Sequence, residues 1–353
     1  MPDRVLLAPA KPQPGGQDSF LNPAATGVKH KRACHPPKSP YTHALASIRH
    51  FNMPTLQSRY LATLLGLATG DAIGTTVEFS PRGSFPPVTR MTGGGPFGLK
   101  PGEWTDDTSM ALCLAESLIV KGEFNPADQM TRYLNWWKWG YLSSTGTCFD
   151  IGMTVRAALD KFADTGNPYS GDTSPRTAGN GSLMRLAPVV LFACPDVEEA
   201  IRLAADSSRT THGAPEALES CQLFAALLCS ALAGTRKEDL LASITFRPTE
   251  PKLSELAGGS FVAKPEQDIR GTGYCVDSLE ASLWCFFNTD SFEAAVLRAA
   301  NLGDDADTTA AITGQIAGAW YGVEAIPQAW LEPLAMRGDI EQMAVKLLER
   351  QRR

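Results

Sequence analysis

Two short acidic clusters, "EWTDDTSMAL" and "NLGDDADTTAAI", carry the residue types in this chain best suited to chemistry. The first sets Thr105, Asp106 and Asp107 ahead of an apolar run. The second crowds Asp304, Asp305 and Asp307, with Thr308, ahead of another. A carboxylate is expensive to desolvate unless something compensates its charge. A helix N-terminus offers partial compensation, because its free N–H groups and dipole favour anions. Such capping accounts for one acid per helix and leaves two or three packed together unexplained. Adjacent carboxylates repel unless one is protonated or a cation sits between them. Oxygen donors without Cys or His suit Mg²⁺, with Mn²⁺ as the alternative, and disfavour zinc. The expectation is a metal centre shared by both clusters, with N-capping as the competing account.

Other motifs that use the same acids fail on context. "DADTT" fits a DxDxT phosphatase signature, but that motif follows an apolar strand near the start of an α/β domain. Here it follows the helical "AAVLRAANLG" near the end of the chain. A calcium loop counted from Asp305 needs Gly at its sixth position and Glu at its twelfth. Ala310 and Ile316 stand there instead.

The elements that must position these acids read as helices almost throughout. Apolar residues recur at helical spacing over 55–74, 106–122, 150–162, 197–212, 214–234, 276–288, 291–303, 307–322 and 340–353. Many of these runs open on Asp, Ser or Thr or close on Gly. No long alternation of apolar and polar residues predicts a sheet, so the expected class is all-α. The Gly/Pro-rich connectors 80–103, 164–182 and 246–273 read as loops, and loops this long are usually functional or mobile. Gly314 and Gly318, with Ala310, Ala311 and Ala317, leave one face of the 307–322 helix nearly bare. That face lets a neighbouring helix approach closely enough to bring the two acidic ends together.

The chain divides near residue 52, into a basic arm over 1–52 and a helical domain over 53–353. Residues 1–50 hold eight of the 25 prolines, four of the five histidines, and seven basic against two acidic side chains. That is +5 on the arm; set against a whole-chain net charge of −6, it leaves −11 on residues 51–353. The arm lacks the apolar density to fold alone. Either it is a disordered tail, or it docks through "KHKRACHPPKSPYTH" (29–43) onto a partner or its own acidic body. An acidic body disfavours nucleic acid as a partner. No apolar stretch is long enough to predict a membrane span, and the N-terminus does not read as a signal peptide. The eight cysteines form no CxxC pair and several sit in apolar helical runs. They read as reduced core residues of a cytoplasmic protein.

Six blocks occur in order: "GDAIGTTVEF", "WTDDTSMAL", "STGTCFDIG", "GNGSLMRLAPV", "TTHGAPEAL" and "NLGDDADTTAAITGQIAGAWYG". Together they resemble the ADP-ribosylglycohydrolase family over roughly residues 55–345. The likeness is greatest to the branch of dinitrogenase reductase-activating glycohydrolase and other arginine-type enzymes. The resemblance implies a compact orthogonal helical bundle around two Mg²⁺ or Mn²⁺ ions. It matches Thr105, Asp106 and Asp107 to one set of metal ligands, and Asp305, Asp307 and Thr308 to the other, with Asp307 bridging. Glu78 matches a glutamate at the edge of the metals. Asp304 stands where relatives commonly have Gly, which places it around the ligands and not among them.

The reaction implied is hydrolysis of the bond between ribose C1″ of ADP-ribose and a side-chain nitrogen of a modified protein. Cleavage passes through an oxocarbenium-like state, which a nearby carboxylate can stabilise while an acid assists the leaving nitrogen. Asp150 matches the aspartate placed there in arginine-type enzymes; its competing reading is an N-cap. Glu78 and Asp106 join it as catalytic candidates. Gly179, Asn180, Gly181 and Ser182 offer backbone N–H groups and a hydroxyl for a diphosphate. His212 is the only histidine after residue 50, and fits either ligand contact or a structural role. Tyr274 resembles an adenine-stacking position. A second class of function stays open: an immunity protein whose N-terminal arm occludes an ADP-ribosyltransferase toxin.

Overall fold

The computed structural model describes residues 53–350, and the arm expected over 1–52 lies outside them. In chain order the α-helices are α1 (Leu56–Gly74), α2 (Asp106–Lys121), α3 (Pro126–Trp139), α4 (Met153–Thr165), α5 (Ala187–Ala193), α6 (Val197–Arg209) and α7 (Pro215–Leu232). There follow α8 (Leu240–Ser243), α9 (Pro251–Ala257), α10 (Cys275–Phe287), α11 (Phe292–Ala300), α12 (Ala306–Tyr321), α13 (Gln328–Leu331) and α14 (Arg337–Arg350). Among the described residues there are isolated bridge pairs but no strands, so the class is all-α, as the periodicity predicts.

Each of the nine expected helices has its counterpart. Five further helices carry weaker patterns. α3 is the instructive one, because its aromatic and polar run hides the period. Its ends are nonetheless written in the sequence: Asn125 Oδ1 accepts from Asp128 N at 3.0 Å, and Pro126 opens the first turn. Gly140 closes it in the left-handed conformation at φ 66°. The connector 246–273 is not a plain loop, since it contains α9 and short 3₁₀ turns.

α12 is the axis of the core. Every residue from Ala306 to Ala319 is buried, and α1, α7, α10 and α11 pack around it. α1 runs antiparallel to α12 at very close range. A Cβ added at Gly66, Gly70 or Gly74 would lie 2.3, 2.2 or 2.3 Å from the carbonyl oxygen of Gly314, Ala310 or Ala306. Added at Gly314 or Gly318, it would lie 1.9 or 2.0 Å from those of Gly66 or Ala62. Small residues every four positions on both helices therefore let the backbones touch. The bare face of α12 expected from sequence is real, and α1 is what covers it. The antiparallel pairing sets the C-terminal end of α1 beside the acidic N-terminus of α12.

Candidate metal and catalytic centre

The two acidic clusters meet. Thr105 is the N-cap of α2 and Asp305 that of α12, yet neither side chain makes a capping hydrogen bond. The acids face one another instead. Thr308 Oγ1 donates to Asp107 Oδ1 at 3.2 Å, and Thr105 Oγ1 lies 3.2 Å from Asp307 Oδ2. Asp307 Oδ1 accepts from the Thr308 amide at 2.8 Å. N-capping therefore does not account for these acids.

A seventh carboxylate, Asp71, completes the group. It is fully buried in α1 and receives four hydrogen bonds. Thr105 N and Oγ1 donate to Oδ1, both at 2.9 Å; Thr108 N and Oγ1 donate to Oδ2 at 3.0 and 2.6 Å. Asp71 thereby ties the first turn of α2 to the end of α1. Sequence reasoning passed it over, although an aspartate inside the apolar stretch of "LATGDAIG" was the available signal. Thr105 Oγ1 has one proton and two carboxylate oxygens in range, Asp71 Oδ1 and Asp307 Oδ2. One of the two must carry its own proton or yield to a cation.

Electrostatics bear this out. Burial is the leading cause that raises the pKa of all seven acids: Asp71, Glu78, Asp106, Asp107, Asp150, Asp305 and Asp307. Neighbouring carboxylates add to it for all of them except Asp71, where hydrogen bonds from Thr108 and Thr105 oppose it. Glu78 is pushed up to about 9, by burial first and then by Asp150 and Asp305. Asp150 is pushed to about 7 and Asp71 to about 6. Among the described residues none of the seven forms an ion pair with Lys or Arg. Asp107 Oδ2 is buried with no hydrogen-bond partner. Glu78, Asp150 and Asp307 offer oxygens that all lie within 4.8 Å of one another. An orphaned buried carboxylate oxygen amid acids without ion pairs among the described residues, together with the all-oxygen donor set, fits a hard divalent ion. The cluster can hold a metal.

Asp150 is not an N-cap: α4 begins at Met153, its N-cap is Gly152, and no side chain caps it. Asp150 instead sits in the left-handed region at φ 59°, uncommon for a non-glycine residue. Asp304 is also left-handed, at φ 56°. Its exposed side chain stays out of the cluster while its backbone works. Phe79 N donates to Asp304 O at 2.7 Å and Asp304 N to Ser80 O at 2.9 Å. This clamp anchors the segment that carries Glu78.

These residues open on a cavity of about 580 Å³ lined by Glu78, Asp106, Asp150, Asp305, Asp307 and Thr308 on one side and by Gly179, Asn180, Gly181 and His212 on the other. Among the described residues, no lysine or arginine lines it. Asn180 joins the two sides, its Nδ2 donating to Asp305 Oδ2 at 2.7 Å. The backbone of the glycine loop is held by Asn180 N donating to Gly273 O at 3.0 Å and Cys275 N to Ala178 O at 3.0 Å. Four of the expected site residues fall outside the lining. Asp107 and Thr105 lie behind it, in the hydrogen-bonded layer already described. Ser182 is buried, its hydroxyl paired with Ser208 Oγ at 2.8 Å. Tyr274 pairs by backbone with Gly179; the Lys252 ammonium sits 4.6 Å from its ring centroid and donates to its hydroxyl at 3.2 Å.

A cavity walled by unpaired carboxylates at two helix N-termini, with a glycine loop opposite, defines a class of all-α metal-site hydrolases. The family model for ADP-ribosylglycohydrolase matches residues 52–353. The chain belongs to the ADP-ribosylglycohydrolase family. It is 45% identical over 292 residues to the ADP-ribosylarginine hydrolase Tri1 of Pseudomonas putida (strain GB-1), covering 83% of this chain and 78% of the relative. It is 33% identical over 298 residues to the ADP-ribosyl-[dinitrogen reductase] glycohydrolase of Rhodospirillum rubrum, covering 82% and 94%. A solved structure, that of an ADP-ribosylglycohydrolase-related protein complex, is similar at a TM-score of 0.74 and 48% identity, over 83% of this chain and 98% of that one.

Proposed function

We propose that this protein removes ADP-ribose from arginine side chains of modified proteins, using two Mg²⁺ ions, with Mn²⁺ as the alternative. The supporting observation is the meeting, in one cavity, of acids from both clusters, Glu78, Asp150 and the Gly179–Gly181 loop, in a chain 45% identical to an ADP-ribosylarginine hydrolase. Asp106, Asp107, Asp305, Asp307, Thr105 and Thr308 would hold the ions, with Glu78 at their edge. Bound there, divalent ions supply positive charge that orients ribose hydroxyls and water.

The chain's own groups do the rest. Asp150, held forward by its left-handed backbone, faces the anomeric carbon and stabilises positive charge as the C1″–nitrogen bond breaks. The bonding electrons go to the guanidine nitrogen, which takes a proton. Water adds to C1″ and gives up a proton, leaving free ADP-ribose and unmodified arginine. Amides of the glycine loop face the diphosphate.

The assay that tests this is release of ADP-ribose from arginine-modified and serine-modified proteins, with and without 10 mM EDTA, on the order of a thousandfold above a micromolar metal site. Release is expected from the arginine linkage alone, and only without chelator. Full activity in EDTA, or equal turnover of serine-linked ADP-ribose, would overturn the reading.

The immunity reading rests on the charge contrast between the +5 arm and the −11 body. Capture of a cognate transferase by the full chain and not by a Δ1–50 chain, with hydrolysis kept in both, would support it. The free thiols of Cys113, Cys148, Cys221, Cys229, Cys275 and Cys285 support a reducing, cytoplasmic setting.

A further inference from the structure

Among the described residues, the buried Arg185 has no carboxylate partner. Arg185, in "GNGSLMR", is fully buried, and its guanidinium forms no ion pair among the described residues. Nη1 donates to Gly181 O at 3.0 Å and approaches Met110 Sδ at 3.8 Å; Nη2 donates to Thr211 Oγ1 at 2.7 Å. The Tyr133 ring centroid lies 4.7 Å from its Cζ, and its Nε is buried without a partner. A buried charge left this way is costly, so its retention calls for a purpose.

The contacts supply one. Thr211 Oγ1 is also 2.9 Å from His212 Nδ1. A guanidinium only donates, so the Thr211 oxygen is the acceptor in its bond to Arg185. The single hydroxyl proton then has Nδ1 as the acceptor within reach. The opposite arrangement, Nδ1–H donating to Thr211, would leave the hydroxyl proton buried without an acceptor. Nδ1 is therefore the acceptor, and the proton of the neutral ring sits on Nε2. Burial, and then the Arg185 charge, lower the His212 pKa to about 3 and keep the ring neutral. Nε2 faces the glycine loop: a Cβ added at Gly179 would lie 3.3 Å from it, and one at Gly181 3.2 Å. The ring also lines the cavity.

We propose that Arg185 and Thr211 are positioning residues that lock His212 as its Nε2–H tautomer, so that the ring donates into the Gly179–Gly181 loop to a diphosphate oxygen of ADP-ribose. The guanidinium, bonded to Gly181 O, also holds that loop and supplies positive potential beneath an anion in a cavity whose opposite side is walled by acids. The ligand half of this inference rests on the proposed function; the tautomer half does not.

Imidazole ¹⁵N NMR on the full chain, with the signal assigned by His212→Gln, reads the tautomer directly. The expected pattern is neutral and Nε2-protonated from pH 5 to 8. Calorimetry with ADP-ribose reads the consequence. Thr211→Val is expected to weaken binding about tenfold and to lose the single-tautomer pattern. Thr211→Ser, which keeps the hydroxyl, should restore both. The double variant Thr211→Val/His212→Gln should bind no worse than His212→Gln alone, because the threonine acts through the ring. An Nδ1-protonated ring in the wild type overturns the inference. So does a Thr211→Val protein that keeps both the tautomer and the affinity. Wild-type protein that binds no ADP-ribose overturns the proposed function and the ligand half with it, while the NMR still decides the tautomer.

Discussion

Asp106 and Asp307 are nearly fully buried carboxylates, 7% and 1% exposed, and neither forms an ion pair among the described residues. Such a residue is either a structural liability or a ligand, and the two give opposite results on truncation. As ligands, Asp106→Ala or Asp307→Ala should abolish metal-dependent release of ADP-ribose and the rise in Tm on adding Mg²⁺. The metal-free Tm should stay within ~3 °C of wild type, since a repelling acid has been removed from its neighbours. Calorimetric scans with and without Mg²⁺ separate the outcomes; a variant that keeps the Mg²⁺ shift is not missing a ligand. Asp150 makes no cap and holds a left-handed backbone at the cavity wall, and the proposed function assigns its work to the transition state. Asp150→Ala should lower kcat by about 10²-fold or more and leave the Kd for ADP-ribose nearly unchanged. Parallel collapse of Kd and Tm would make it structural.

At the scale of elements, the site depends on the contact between α1 and α12. A methyl group at position 314 would meet the Gly66 carbonyl at 1.9 Å, backbone against backbone, with no side chain able to move aside. Gly314→Ala should therefore destabilise by ~3 kcal/mol or more. It should also weaken Mg²⁺ binding, because separating the helices draws Asp71 and Glu78 away from Asp305 and Asp307. Gly338→Ala in α14, where an added Cβ meets nothing within 4 Å, should instead stabilise by ~0.5 kcal/mol. Urea denaturation of both variants tests the pair; equal, small effects would mean that α1 and α12 are not packed this closely.

For the molecule as a whole, the acidic centre links stability to pH in an unusual direction. Glu78, Asp150 and Asp71 have folded-state pKa values raised to about 9, 7 and 6, against ~4 in an unfolded chain. Between ~4 and 9 the folded state therefore binds more protons than the unfolded state, so stability falls as pH rises. Ordinary surface pairs act the other way: Asp128, its pKa lowered by Arg132, contributes stability that is lost in acid. The metal-free protein should thus show a Tm that declines from pH 5 to pH 9, and saturating Mg²⁺ should flatten that decline by taking the place of the protons. Thermal scans in EDTA and in Mg²⁺ at pH 5, 7 and 9 test it. A metal-free Tm that rises across this range would mean that the carboxylates are not desolvated together.

Helix periods, caps and the order of six motif blocks are local properties of a sequence, which is why the nine principal helices, the acidic helix ends and the family were legible before any coordinates. α3 was missed because aromatic residues blur its period, although Asn125, Pro126 and Gly140 mark its ends. What the tertiary structure decided were relations between distant residues. Asp71 became visible as the tie between α1 and α2 only when Thr105 and Thr108 were seen to donate to it. The hydroxyl of Ser182 turned out to face Ser208, and Arg185 to reach Thr211 and His212. A sequence states which groups exist and at what helical phase. Whether two oxygens end up 3 Å apart depends on how closely two backbones approach, and here that was settled by glycines on helices nearly 250 positions apart in the chain, Gly66 and Gly314.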